Sequence, residues 1–402
     1  MSSTRRLAGA LLALLLARPA PAHACGGMVF PNHETRVGGM NDQELLVVFG
    51  GDETVLVASA GYEGVPAADF AFILPLGSDP TDVRDSDPAL FIGLDEFSAP
   101  RISVFVDDGS SSLGLCGAGD GGAPDRGGGD DVMLHQRGRT ATYEWVVIGG
   151  DTGAAVADWL SGAGYPLPPD YAAALDPYIS AGRFFFAARV LPEAADGALK
   201  PIELHLPVIQ PEAFEIPLAL AAHSLPPDRP LGITTYFWAG GPLLPANYPA
   251  APILEDELEA TSPTETNYAA LERAILDGPD GGWILDYSDR IPPDSVRWAY
   301  ESAVGEGRVP VDAGDPDYIT DFFGRVGTNG HLTRLRTELR ADQLRDMTLR
   351  RVDGPTADNF FSVTYDPTPV GSCAVDRSGR LANFLLLVPV LAWIRPRRRR
   401  PA

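Results

Sequence analysis

One stretch of this chain, residues 142–191, constrains the fold more than any other, because strand and helix periodicities follow each other in it without interruption. An apolar run at 143–148 predicts a strand, and Asp151 or Thr152 can cap a helix after it. A second apolar run, at 184–191, is long enough for a strand buried in a sheet. Between the two runs, the residues predicted to face inward are Val156, Trp159, Leu160 and Ala163 in a first helix and Tyr171, Leu175, Tyr178 and Ile179 in a second. The stretch predicts a strand, helix, helix, strand unit, a scaffold without a residue that suggests a reaction.

Outside this stretch the chain alternates short apolar runs with turns, which favours an α+β fold with mixed sheets and flanking helices, arranged as two packed subdomains. A capping box at 262–265 predicts the start of a helix, and residues 136–139 are expected to form a turn. The run at 202–208 alternates apolar and polar residues, so His205 is expected to lie on an exposed face. Further strands are predicted at 45–49, 55–60, 70–74, 102–106, 233–238, 332–338 and 360–364, and further helices at 88–97, 295–304 and 318–326.

The composition divides the chain into six segments. They are a signal peptide at 1–24, an N-terminal β-rich region at 25–140 with an acidic Gly-rich loop at 107–131, a central α+β region at 141–240, a C-terminal α+β region at 241–365, a linker at 366–380 that contains Cys373, and a membrane helix with an arginine cluster at 381–402. A chain of 402 residues, of which 45% are hydrophobic, is long enough and apolar enough to bury a sizeable core.

The formal net charge of −23 makes one class of partner improbable. An acidic surface repels the phosphate backbone of nucleic acids and anionic lipid headgroups, so nucleic-acid binding is not expected. Arginines at both ends of the chain offset part of the acidity, and the body between them is more acidic still. The simplest interpretation is solubility in an extracellular medium.

Four groups of residues stand out as motifs. They are Ala24-Cys25-Gly26-Gly27; Asp69-Phe70-Ala71-Phe72-Ile73-Leu74-Pro75; the central unit with Trp159-Leu160, Gly164-Tyr165-Pro166-Leu167-Pro168 and Pro177-Tyr178; and Leu332-Thr333-Arg334-Leu335-Arg336-Thr337. Together they resemble a family of secreted bacterial proteins called domain of unknown function 2330, over most of residues 25–365. The family has no established activity, so the resemblance implies no catalytic residue.

The N-terminus has the parts of a secretory signal peptide. A basic start precedes an apolar segment at 7–17, and Ala22 and Ala24 satisfy the preferences of signal peptidase. Cleavage there makes Cys25 the first residue of the mature chain. A second interpretation is a lipoprotein modified at Cys25, although Ala22 stands where a lipobox usually has a larger aliphatic residue.

The C-terminus has a cysteine, a polar spacer, an apolar run at 381–394 and a cluster of four arginines. The run spans about 21 Å as a helix, against about 30 Å for a bilayer core, and the arginines are expected on the cytoplasmic side. This order resembles the sorting tails called MYXO-CTERM, which implies cleavage near Cys373 by a membrane protease and display at the cell surface. The alternative is a plain membrane anchor, and both interpretations place the body outside the cytoplasm.

Three cysteines limit the covalent chemistry. With Cys373 assigned to the tail, Cys25 and Cys116 remain as a predicted disulfide, because an exposed free thiol is disfavoured in an oxidising compartment. The chain has too few cysteines and no paired histidines for a zinc site, so no metal ligand is predicted.

The loop at 107–131 contains two motifs that suggest ligands. Residues 117–122 match the pattern GxGxxG, but they open no amphipathic helix, so a dinucleotide site is rejected and no cofactor is predicted. The aspartates in this loop can bind calcium in principle, but their spacing does not fit an EF-hand, and a solvated loop is the better interpretation. These aspartates are Asp120, Asp125, Asp130 and Asp131.

The search for a catalytic site yields no candidate residue. The mature chain has five histidines, and the sequence contains neither GxSxG nor HExxH. His331 follows a turn sequence and is interpreted as a turn residue. We therefore predict a displayed or membrane-tethered envelope protein that binds or organises an unidentified surface ligand. The alternative is an extracytoplasmic hydrolase whose site is assembled from distant residues, with glycan cleavage by carboxylates as one form.

Overall fold

The structure is a computed structural model. It describes residues 25–26, 43–60, 71–106, 133–165, 167, 171–191, 194, 200–223, 225, 230–327, 330–353 and 357–365. The signal peptide, the acidic loop at 107–131 and the C-terminal tail lie outside these residues, and the predictions on them stay predictions.

Within the described residues, the chain forms six α-helices and eighteen strands. The helices are α1 Ala89–Ser98, α2 Gly153–Gly162, α3 Tyr171–Ser180, α4 Tyr268–Leu276, α5 Asp294–Gly305 and α6 Pro316–Val326. The strands are β1 Cys25–Gly26, β2 Gln43–Phe49, β3 Thr54–Ala60, β4 Ala71–Leu76, β5 Asp82–Asp85, β6 Arg101–Val106, β7 Met133–Arg139, β8 Tyr143–Gly149, β9 Phe184–Val190, β10 Ile202–Leu206, β11 Glu215–Ile216, β12 Leu231–Ala239, β13 Leu243–Pro245, β14 Ala250–Ala251, β15 Trp283–Ile291, β16 Gly330–Leu339, β17 Met347–Arg351 and β18 Phe360–Tyr365.

The strand, helix, helix, strand unit at 142–191 is confirmed. Thr152 caps α2 by accepting a hydrogen bond from the backbone N–H of Ala155 at 3.2 Å, and α3 is followed by Gly182 at a φ of +70°. Strands β8 and β9 pair antiparallel, and both helices pack on one face of the sheet that contains them. The local sequence pattern was sufficient to predict this unit, because the helix cap, the apolar periodicity and the glycine after the helix all indicate the same elements.

Two sheets form the centre of the molecule. A five-stranded sheet has the order β1-β4-β9-β8-β7, and an eight-stranded sheet has the order β14-β15-β16-β12-β2-β3-β10-β5. Parallel and antiparallel pairs occur in both sheets, so the predicted α+β class with mixed sheets is confirmed.

The layers follow from the alternation of apolar residues along the strands. Leu45 and Val47 of β2 belong to an apolar core shared with β4 and β9, so the two sheets pack face to face. Leu46 and Val48, on the opposite face of β2, belong to a core shared with α1, α5 and α6. We call this opposite surface the helix face of the eight-stranded sheet.

Several predictions about single elements were wrong. Residues 136–139 continue β7, and the turn comes after them at 140–142. The capping box at 262–265 does not start a helix, because α4 begins later, with Asn267 as its cap residue. Strand β10 is buried on both faces, since helix α6 covers the face that carries its polar residues. Strand β15 was not predicted at all.

Candidate ligand-binding site

A cavity lies between the two sheets, near the ends of β2, β4 and β10. Its wall is apolar and includes Leu45, Leu56, Leu74, Leu206 and Phe214, each at most 7% exposed. The cavity has a volume of about 60 Å³. A water needs roughly 10–15 Å³ of such space, so the cavity has room for about four waters or a short hydrocarbon chain. An apolar space of this kind is more favourable for hydrocarbon than for water.

The segment 209–218 covers the cavity from one side. It contains a single 3-10 turn, Pro211–Ala213, and the short strand β11, whose Glu215 and Ile216 pair with Thr348 and Met347 of β17. Phe214 of this segment packs edge to face against Phe49, with ring centroids 5.6 Å apart. The cover is therefore held at both sides by backbone pairing and by an aromatic contact.

A groove of about 470 Å³ adjoins the cavity. Helix α3 forms one wall with small side chains, and the 3-10 helix Ala219–His223 forms another. The groove contains the phenol of Tyr178, the imidazole of His223 and the carboxylate of Asp346. The exposed surfaces of the groove and of the cavity are both mainly apolar, and these few polar groups of the groove can fix the orientation of a bound molecule.

An ion pair between Arg183 and Glu215 lies at the boundary, since both residues line the groove and the cavity. Their side chains are 28% and 44% exposed. Gly77 permits the close approach of Arg183, because a Cβ at this position would lie 2.6 Å from its Nη1 atom. A partly exposed ion pair contributes little to stability, so it can open without a large cost.

Asp346 is the most constrained acid of the groove. Its Oδ1 atom accepts hydrogen bonds from the Tyr178 hydroxyl at 2.8 Å and from the backbone N–H of Ala219 at 3.0 Å. Burial raises the pKa of Asp346, and these two hydrogen bonds oppose the rise. The charge of Glu215 raises the pKa further, whereas Arg183 lowers it. The groove therefore contains two carboxylates and one guanidinium.

His205 lies in a separate, buried cluster on the helix face. Its Nδ1 and Nε2 atoms lie 2.8 Å from Glu53 and 2.7 Å from Glu203, so both ring nitrogens are occupied by carboxylates. The hydrogen bond to Glu203 raises the pKa of His205, and burial opposes this. Tyr318 and Arg325 of α6 also contact Glu203, which ties the helix to the sheet. The expectation that His205 is exposed was wrong, and its ring has no nitrogen left for a substrate.

His331 is also buried, at 7% exposure, and not in a turn as expected. It lies in β16, and its Nε2 atom is 2.8 Å from the Oγ atom of Ser288 on β15. Burial lowers the pKa of His331, so its ring is neutral at pH 7 and can accept the Ser288 proton. Ser288 is 1% exposed, and neither the cavity nor the groove is lined by this pair.

A row of charged residues, two buried and two partly buried, crosses the helix face of the eight-stranded sheet. We call Glu44, Asp286, Arg334 and Arg336 the ionic row. Asp286 is fully buried and lies 3.3 Å from Nε of Arg334 and 3.2 Å from Nε of Arg336. A β-bulge in β15 places Asp286 on this face together with the next residue. Two further acids pair with the arginines of the row: Asp95 of α1 with Arg334, and Glu272 of α4 with Arg336.

Glu44, at one end of the ionic row, has the largest pKa shift among the carboxylates of the row. Burial, followed by the charge of Asp95, raises the pKa of Glu44 to about 8. The guanidinium of Arg334 opposes this rise. A carboxyl with this pKa is mostly protonated at neutral pH.

The cysteines singled out in the sequence are placed only in part. Cys25 begins β1, and its backbone pairs in parallel with Phe72 of β4. Cys116 and Cys373 lie outside the described residues, so the disulfide and the sorting role stay predictions. Among the described residues, no group of three or more His, Cys, Asp or Glu side chains is arranged to hold a metal ion. In the same part of the chain, no helix has both the length and the apolar character to span a bilayer.

Comparison with known proteins gives one match. A family model described as an uncharacterized protein conserved in bacteria matches residues 19–234, which is more than half of the chain. The matched region includes all residues that line the cavity, from Gln43 to Leu218, and all groove residues except Asp346. No curated protein and no solved structure matches the chain.

Proposed function

From the premise that this chain belongs to the family of uncharacterized bacterial proteins DUF2330, we propose that it is an exported envelope protein that binds a small molecule without transforming it. Export is supported by the signal-peptide pattern at 1–24, and attachment to the envelope by the apolar run and arginine cluster at 381–402. The body is held at the cell surface or on the outer side of a membrane. Cleavage of the tail by a sorting protease belongs to this proposal.

The observation that carries the binding function is a groove with a few polar side chains that meets the cavity at the Arg183 and Glu215 pair. Binding sites for small molecules are concave and mostly apolar, with a few polar groups that set orientation. The charged groups of the groove already have partners within the protein: Asp346 is held by Tyr178 and by a backbone N–H, and Arg183 is paired with Glu215. This arrangement favours retention of a ligand over its chemical conversion.

The test is identification of the small molecules that the protein retains. The full-length protein and the variant Ala213→Trp are purified from the same bacterial host, denatured and extracted, and the extracts are compared by mass spectrometry. Ala213 is exposed and is one of the residues that line the cavity, so an indole at this position obstructs access to the cavity. We expect at least one molecule to be enriched in the unmodified protein.

The matched control is Ala270→Trp, which places the same side chain on the exposed surface of α4. Equal extracts from all three proteins, each with an unchanged melting temperature, would contradict a binding function at this site. Protease treatment of intact cells tests location independently, since an exported body is digested from outside and a cytoplasmic one is protected.

A hydrolase is the second candidate, and the pair of Ser288 and His331 is the observation that favours it. A serine hydroxyl 2.8 Å from a neutral imidazole has the geometry of an activated nucleophile. Its near-complete burial is the obstacle, since a substrate has to reach the Oγ atom. Labelling of the full-length protein by a fluorophosphonate probe, lost in Ser288→Ala, would support this candidate over the binding function, and equal labelling of both proteins would reject it.

A further inference from the structure

We propose that the ligand is a small amphiphile with a positively charged amine head and a short apolar chain, with the head in the groove and the chain in the cavity. This inference rests on the binding function proposed above and adds the chemical class of the ligand.

The head is assigned from the charges of the groove. Arg183 and Glu215 neutralise each other as an ion pair, and Asp346 remains as the second carboxylate. The hydrogen bonds from Tyr178 and from Ala219 to the Asp346 side chain both reach its Oδ1 atom. A carboxylate that is partly removed from water favours a cationic donor over a neutral or anionic group. An ammonium group supplies this donor and the compensating charge together.

The chain is assigned from the cavity wall. The wall is formed mainly by leucine, isoleucine and phenylalanine side chains that are almost fully buried, and its volume of about 60 Å³ accommodates only a few carbon atoms. Each methylene group transferred from water into such a space contributes about 0.8 kcal/mol, so a chain of a few carbons supplies most of the binding energy of a small ligand.

The overall charge of the protein also favours a ligand with a positively charged head. A formal net charge of −23 attracts cations and repels anions in the surrounding medium, and this long-range field raises the association rate of a cationic ligand.

The experiment uses the full-length protein in lipid nanodiscs, with empty nanodiscs as a blank for partition into lipid. Isothermal titration calorimetry measures the affinity for n-pentylamine, n-pentanol, pentanoate and ethylamine. These probes compare a cationic, a neutral and an anionic head on the same chain, and a cationic head with a shorter chain. We expect pentylamine to bind about tenfold or more tightly than pentanol, and pentanoate and ethylamine to bind weakest.

Two variants test whether the preference for pentylamine over pentanol arises from the charges of the groove. Asp346→Asn should lower the affinity for pentylamine about tenfold and leave that for pentanol unchanged. If its melting temperature shows that Asp346→Asn is not folded, Glu215→Gln serves instead, because Glu215 is exposed and its loss leaves the groove with an unpaired guanidinium. In this variant the preference should shift from pentylamine toward pentanoate. Raising the salt concentration should weaken binding of pentylamine and not of pentanol.

The outcomes separate this inference from the function on which it rests. Equal affinity for pentylamine and pentanol, blocked for both by Ala213→Trp, would overturn the amine head and leave the binding function standing. A preference for pentanoate would overturn the inference in the same way. If no probe binds and the extracts described above contain no enriched molecule, both fail.

Discussion

Replacing Glu44 by glutamine tests the electrostatics of the ionic row with the smallest available change. Burial raises the pKa of Glu44 to about 8 in the folded protein, whereas the ordinary value of a glutamate applies in the unfolded chain. Between these two values the folded state binds one proton more than the unfolded state. A raised pKa contributes stability that is complete below the unfolded value and is lost as the pH rises through the folded value.

The magnitude follows from this proton difference. The free energy of unfolding falls by about 1.4 kcal/mol for each pH unit in the window, so the loss between about pH 4.5 and pH 8 amounts to about 4 to 5 kcal/mol. Glutamine has the shape of the protonated acid and no ionisable group. We therefore expect Glu44→Gln to match the unmodified protein near pH 5 and to exceed its stability by several kcal/mol at pH 8.

The assay is urea unfolding at pH 5, 6, 7 and 8, and the quantity of interest is the difference in unfolding free energy between variant and unmodified protein. Other titrating groups cancel in this difference. The control Glu259→Gln removes a carboxylate from an exposed position, where no such pH-dependent difference of several kcal/mol is expected. A difference for Glu44→Gln that stays constant from pH 5 to pH 8 would refute the reasoning.

Three further predictions concern stability and location. Asp286→Asn should lower the unfolding free energy by about 3 kcal/mol in urea, because two buried guanidinium groups lose their shared acid, and an equal stability would show that the row is solvated. Thr152→Ala should cost about 1 kcal/mol through loss of the cap of α2, whereas Thr152→Ser should not; equal losses in both would exclude the cap as the cause. Deletion of residues 374–402 should release a protein with an unchanged melting temperature into the periplasm or medium. Cys373→Ala should disturb sorting without unfolding the protein. Continued membrane association of the deletion variant, measured by fractionation, would place the anchor elsewhere.

The sequence predicted correctly those elements for which the cap, the apolar periodicity and the terminating residue all indicate the same element. Helix α2 has a cap, an apolar stripe and a glycine after it, and strands β8 and β9 are apolar runs with one charged residue each. Strand β15 lacks such agreement, because its bulge turns Asp286 and Tyr287 to the same face and breaks the alternation that identifies a strand. No element was therefore predicted at these residues.

The candidate site was out of reach of sequence reasoning for a different reason. The cavity is lined by side chains from several strands and from the covering segment, and none of these residues is unusual in its own element. The burial of His205 likewise depends on α6, which lies more than a hundred residues further along the chain. Alternation along a strand shows which residues share a face and does not show what covers that face.

The strand order of the eight-stranded sheet has a consequence for how the protein has to be made. Its centre is the parallel pair of β2 and β12, flanked by β16, so strands from both ends of the body must be present before the sheet can close. The family match ends inside β12, so the matched region by itself would expose an unpaired sheet edge. Pairings this distant along the chain slow folding and prolong the exposure of apolar strands. Biogenesis therefore requires that nearly the whole chain emerge before the fold is complete, and a holdase chaperone that shields β2 and β3 during that interval would raise the yield.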